Sequence, residues 1–204
     1  MSITNINRRT FNAGLLSAGL LTGIRPSLAQ SAPKRGGSVR VALSVQSGAE
    51  TLDPAKLTIA GDYIRGTSVY SYLTNFDENG QAHPELATSW EANDNATRWT
   101  FKVRKGIKFS DGSPLTLDDI VYSISRHTDA SVASNVKQLA SNIKSVAKDG
   151  DDVIVIELKN PDADLPTMLG TFHFGIVKAG ATDFAKPISS GPFVVKEFQP
   201  GIRT

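Results

Sequence analysis

The chain has 204 residues, with 22 basic and 20 acidic side chains, a net charge of +2 and no cysteine. Without a thiol there are no disulfides, no thiolate metal site, no cysteine nucleophile and no lipid attachment through an N-terminal cysteine. Residues 1–29 hold Arg8, Arg9 and Arg25 and no acid, which leaves 19 basic against 20 acidic groups beyond them, a net −1 with no Lys/Arg run, so nucleic acid is not an expected partner.

The first 29 residues read as an export signal. Arg8-Arg9 precede an apolar run of 11 residues, Gly14 to Ile24, and Ser27-Leu28-Ala29 supplies small residues at cleavage spacing. The arginine pair with Phe11 two residues on resembles the twin-arginine signal. The alternative is a membrane anchor, but at ~1.5 Å per residue the run covers about half of a ~30 Å hydrocarbon core. Cleavage is expected after Ala29, giving a mature chain that is not inserted in a membrane.

The mature part opens on a polar tether, Gln30 to Gly37. Val39, Val41, Leu43 and Val45 then alternate with small or polar residues and predict a strand over Ser38–Val45. A loop through Gly48 to Pro54 leads to a helix expected over Gly61–Leu73, with Tyr63, Thr67 and Tyr70 on one face. Asp77-Glu78-Asn79-Gly80 is a turn, since Asn-Gly tolerates positive φ. Pro84–Thr88 reads as one helical turn and Trp90 as the start of an extended stretch.

Trp99, Phe101 and Val103 alternate with Thr100, Lys102 and Arg104, the clearest strand of the chain, and Lys105-Gly106 suggests a hairpin returning over Ile107–Phe109. After the turn Ser110–Pro114, Thr116 and Asp119 make a capping-box pair. Leu117, Ile120, Val121 and Ile124 then form one apolar helical face. A second hairpin is expected, Ile143–Ala147 and Val153–Leu158 about Asp149–Asp152, followed by a short helix Asp164–Leu169 and a strand Phe193–Phe198. Hairpins interleaved with helices, without a βαβ rhythm, indicate a mixed α/β or α+β fold.

Five motifs occur in order: Leu52-Asp53-Pro54-Ala55; Pro84-Glu85-Leu86-Ala87-Thr88-Ser89-Trp90; Trp99 to Gly112; Pro114 to Ser123; and Ser189-Ser190-Gly191-Pro192-Phe193. Together they resemble the family 5 extracellular solute-binding proteins of ABC importers, the dipeptide, oligopeptide and nickel-binding group. The resemblance implies a class II-like, two-lobed periplasmic binding fold with an additional β-rich subdomain. It implies the organisation 1–29 signal peptide, 30–79 first-lobe segment, 80–170 β-rich subdomain and 171–204 return to the first lobe. Members of the family are more than twice this length, so the chain is expected to be truncated, with the second lobe absent.

The resemblance also implies a role: capture of a small solute, short peptides first among them, in the periplasm of a Gram-negative bacterium, and delivery to the transmembrane subunits of an ABC permease. A monomer without cofactor and without enzymatic activity is expected. In relatives the loop Ser47-Gly48-Ala49-Glu50-Thr51 reaches the cleft, where its backbone can pair with an extended ligand, a form of strand addition; a plain connecting loop is the other reading. His173, between Phe172 and Phe174, lies near a stretch that can line the cleft in nickel-binding relatives; a packed core histidine is the other reading. Gly191 matches the family's Thr-Gly-Pro-like segment near the hinge, with Ser190 where Thr is common, and a structural turn is the role expected of it ahead of ligand contact.

His83 and His127 have no partner at metal-ligand spacing. Two further classes stay open. An exported hydrolase would need a nucleophile with a base or paired carboxylates, but Gly-x-Ser-x-Gly and His-Glu-x-x-His are absent, and Asp118-Asp119 and Asp151-Asp152 sit at a helix start and a turn. A periplasmic interaction or chaperone module without solute transport is the other.

Overall fold

In a computed structural model the described residues are 36–45 and 47–204; the export signal and most of the tether lie outside them. Residues 36–41 carry no regular structure. The elements of the remainder, in chain order, are α1 (Ala60–Val69), β1 (Thr74–Phe76), β2 (Ala82–Pro84), β3 (Ala87–Ala92), β4 (Arg98–Val103), α2 (Leu117–Ser125), α3 (Lys137–Ala140), β5 (Ile143–Asp149), β6 (Val153–Leu158) and α4 (Leu165–Leu169). Short 3-10 turns occur at Pro54–Lys56, Arg126–Thr128 and Phe172–Phe174. The architecture is mixed α/β, as the order of elements in the sequence led us to expect.

One antiparallel sheet, in the order β3-β4-β6-β5, organises the core, and β1 and β2 form a separate two-stranded ladder about the Asp77–Gly80 turn. Trp99, Phe101 and Val103 on β4 and Ile154, Ile156 and Leu158 on β6 present one buried face, in keeping with the period-two pattern. Helix α2 covers it with Ile120 and Ile124, both fully buried. Asp119 fixes the start of α2, its Oδ2 accepting from the Thr116 N–H and hydroxyl at 2.7 Å each. The β5–β6 hairpin and α4 lie where the sequence puts them.

Several local expectations give way to tertiary partners. Pro84–Thr88 is not helical: the Leu86 and Ala87 amides donate to the Tyr72 and Leu73 carbonyls, which draws the segment out between β2 and β3. Ile107–Phe109 does not return along β4, because β3 and β6 already occupy both edges of that strand. It folds instead onto Ser113–Leu115, with Phe109 N–H on Ser113 O and Leu115 N–H on Ile107 O. Helix α1 ends at Val69, and its buried face is Gly61, Asp62, Gly66 and Val69 rather than the one through Tyr63 and Thr67.

Neither strand expected near the two ends of the described chain is present. Ser38–Val45 is irregular and exposes Val39, Val41 and Val45; alternation supplies an apolar face, but a strand also needs a neighbour for its backbone. Phe193–Phe198 runs past the end of α1 instead of along a sheet edge. Gly191 N–H and Phe193 N–H donate to Val69 O and Ser68 O, and Phe193 and Val194 point into solvent.

Candidate functional site

The Leu52-Asp53-Pro54-Ala55 motif builds the centre of the site. Asp53 Oδ1 accepts from the Ala55 N–H, capping the 3-10 turn that Pro54 opens. The same carboxylate grips Arg126, 73 residues on, with Nη1 2.7 Å from Oδ1 and Nη2 3.2 Å from Oδ2. Both side chains are more than nine-tenths buried. The Phe184 ring lies 4.9 Å from the guanidinium carbon. This fork joins the motif to the end of α2 and to the loop that carries Phe184.

A groove of about 610 Å³ opens at this pair, lined by Thr51, Lys56, Tyr122, Asp129, Val132 and Phe184 beside the ion pair itself. The 129–133 segment forms its lip, with Asp129 Oδ1 accepting from the N–H and hydroxyl of Ser131 at 2.8 Å each. Those two bonds hold the Asp129 carboxyl below its ordinary range. Tyr122 donates its hydroxyl to Ala181 O, tying the Phe184 loop to the outer side of α2.

Of the residues singled out from sequence, Thr51 borders this groove. Gly48 and Ala49 are exposed, and Ser47 is half-buried, its hydroxyl oxygen accepting from the Ala49 N–H. Glu50 turns inward. Its Oε2 lies 3.1 Å from Arg65 Nη2 and accepts from Gly201 N–H at 2.9 Å, so its charge braces the loop against α1 and the 199–203 turn.

His173 is half-buried, and its Nε2–H donates to Leu57 O at 3.0 Å. Phe172 beside it stacks on Tyr63 with ring centroids 3.7 Å apart. Burial lowers the His173 pKa. Gly191 sits against the end of α1, where an added Cβ would come within 2.8 Å of Tyr70 N and Val69 C. Neither His173 nor Gly191 lines the groove.

His127 is packed under the site rather than in it. It is almost fully buried, with Nδ1 2.8 Å from Ser134 Oγ and its ring 4.6 Å from that of Phe174. Burial first, and then the Arg126 charge, push its pKa down to about 4. The Asp118-Asp119 pair is engaged structurally: Asp119 caps α2 and also accepts from Ala179 N–H, while Asp118 pairs with Lys148 at 2.6 Å. Among the described residues no three His, Cys, Asp or Glu side chains are grouped to hold a metal ion, and no helix is long and apolar enough to cross a membrane.

Sequence reasoning missed Arg126, Phe184 and Asp129. Asp53 was visible within its motif, but its partner lies 73 positions away and only the fold brings the two together.

Residues 81–204 match the family model described as bacterial extracellular solute-binding proteins, family 5 middle. A probable peptide ABC transporter periplasmic-binding protein, y4tO of Sinorhizobium fredii, is 33% identical over 199 residues, covering 94% of this chain and 36% of that protein. The periplasmic oligopeptide-binding protein OppA of Escherichia coli is 34% identical over 169 residues, 80% of this chain and 30% of its own length. Among solved structures, MoaA of A. tumefaciens R10 in complex with mannopinic acid superposes with a TM-score of 0.70 at 27% identity, over 76% of this chain and 34% of that one. The chain thus spans about a third of the length of the relatives it matches.

Proposed function

Because this chain belongs to the family 5 extracellular solute-binding proteins, we propose that it forms part of the solute-capturing component of an ABC importer, acting on short peptides in the periplasm and handing them to the permease. The observation that carries this reading is the alignment with a peptide-transporter binding protein over 94% of the chain. Gly48 and Ala49 are the exposed corner of a turn closed by Glu50 N–H on Ser47 O and braced by the Glu50–Arg65 pair, and an extended peptide would meet the Gly48 amide and the outward carbonyls of this turn. Main-chain pairing explains how such a protein tolerates varied side chains in its solute. Binding proteins of this kind close two walls around a ligand, and contacts to both stabilise the closed state. One wall alone supplies only some of those contacts, and each ~1.4 kcal/mol lost is a tenfold loss of affinity.

The test is calorimetry of the 204-residue chain against di-, tri- and oligopeptides and nickel–histidine. We expect weak heats with peptides that fall further in Gly48→Pro, which removes one backbone donor from the loop. Tight nickel–histidine binding with no heat from any peptide would replace this reading with another solute class.

A further inference from the structure

The Arg126 guanidinium has five N–H donors, and Asp53 takes one from each Nη. That end-on fork leaves the side edge of the group, Nε–H and the second Nη2 hydrogen, for something else. Nε is buried and has no hydrogen-bond partner among the described residues. An unpaired buried donor on a charged group is costly, so the edge is poised to gain from an incoming acceptor. Two parallel N–H bonds match the two oxygens of a carboxylate, the pairing guanidinium favours.

One face of Arg126 is covered by Phe184, its ring 4.9 Å from the guanidinium carbon. Phe184 sits on a stretch, Lys178 to Ser190, with no helix or strand, and it borders both the groove and a smaller cavity of about 280 Å³ on its other side.

Charge narrows the ligand class. The charged side chains lining the groove are Lys56 and Arg126 against Asp53 and Asp129, which cancel. A bare carboxylate would leave one uncompensated negative charge there. A zwitterion keeps the balance, and Asp129, which lines the same groove and is held ionised by its Ser131 bonds, is the exposed carboxylate there to take an ammonium.

We propose that this groove binds a small zwitterion of the α-amino-acid class, its carboxylate on the side edge of Arg126, its ammonium toward Asp129, and Phe184 displaced as a movable cover. The groove takes Thr51 from the candidate loop but none of Ser47, Gly48 and Ala49, so the two readings can be tested apart.

Calorimetry of the full 204-residue chain with glycine, L-alanine and L-leucine tests it, with acetate and ethylamine as probes that each lack one charge. An amino acid should bind at least tenfold more tightly than either probe. Arg126→Lys keeps a cation on Asp53 but deletes the side edge, and should lose at least tenfold. Asp129→Asn leaves the buried pair intact and should abolish the preference for the amino acid over acetate; urea midpoints of both variants check that they fold. Absence of binding by all three amino acids overturns the proposal. So does undiminished binding in folded Arg126→Lys, or an unchanged preference in Asp129→Asn. Peptide heats measured on the same variants separate the two readings, because Gly48→Pro should leave amino-acid binding intact.

Discussion

Acid should destabilise this protein through one buried histidine. His127 has its pKa pushed down to about 4 by burial and by Arg126, against an ordinary value near 6.5 in the unfolded chain. Between those two values the unfolded chain binds a proton that the folded chain refuses. Stability from this group is therefore complete above about pH 6.5 and is lost as pH falls toward 4. Linkage gives a loss of about 2 kcal/mol between pH 7 and 5, and about 3 kcal/mol by pH 4. Against a total of about 5–15 kcal/mol for an ordinary domain, that is a large fraction.

Carboxylates titrate in the same range, so the wild-type slope alone does not isolate the histidine. His127→Gln supplies the control, since an amide keeps a polar contact to Ser134 without a titrating ring. Urea unfolding of both proteins at pH 7, 5 and 4 should show the wild type losing about 3 kcal/mol more than the variant over the whole range. Equal losses would mean that His127 is protonated in the folded state as readily as in the unfolded one, and would refute the argument.

Asp53→Ala strips the buried partner from Arg126 and should cost about 3–5 kcal/mol, read as a lower urea midpoint; a change below about 1 kcal/mol would show that the pair is not desolvated. Gly191→Ala forces a Cβ against the backbone of Val69 and Tyr70 and should cost about 1–3 kcal/mol, checked by thermal melting, with an unchanged midpoint counting against the close approach. Replacing Arg8 and Arg9 together by lysine should strand the precursor in the cytoplasm, and undiminished export in cell fractionation would refute the twin-arginine route though not the destination. Amide exchange should be slow near Phe101 and Val155 and fast near Val41 and Val195, and uniform protection would show that the irregular segments are paired in solution.

How far the sequence could be read depended on the distance between partners. The β5–β6 hairpin, the capped helix α2 and the Asp77–Gly80 turn are written within a few residues each, and their patterns predict them with little error in boundary. Elements whose form is decided by a distant partner were misread. Ile107–Phe109 has the composition of a returning strand, yet β6, some 50 residues later, takes the edge of β4 it would have used. The segment Ser38–Val45 has a strand's alternation without a strand's neighbour.

The family motifs behave in the same way. They identify the chain because their residues are unusual together, but what each residue does is visible only in pairs. Asp53 matters through Arg126, Ser110 through its exchange of hydrogen bonds with Ser189, and Asp111 through Lys178 at 2.7 Å. Each links a motif to a position 67 to 79 residues away. Such motifs are therefore better read as anchoring points that hold loops in register than as the surface that touches a solute. On the two readings proposed above, solute contacts fall to residues outside the motifs, Phe184 and Asp129 in the groove and Gly48 and Ala49 on the loop, where a change leaves the anchoring intact.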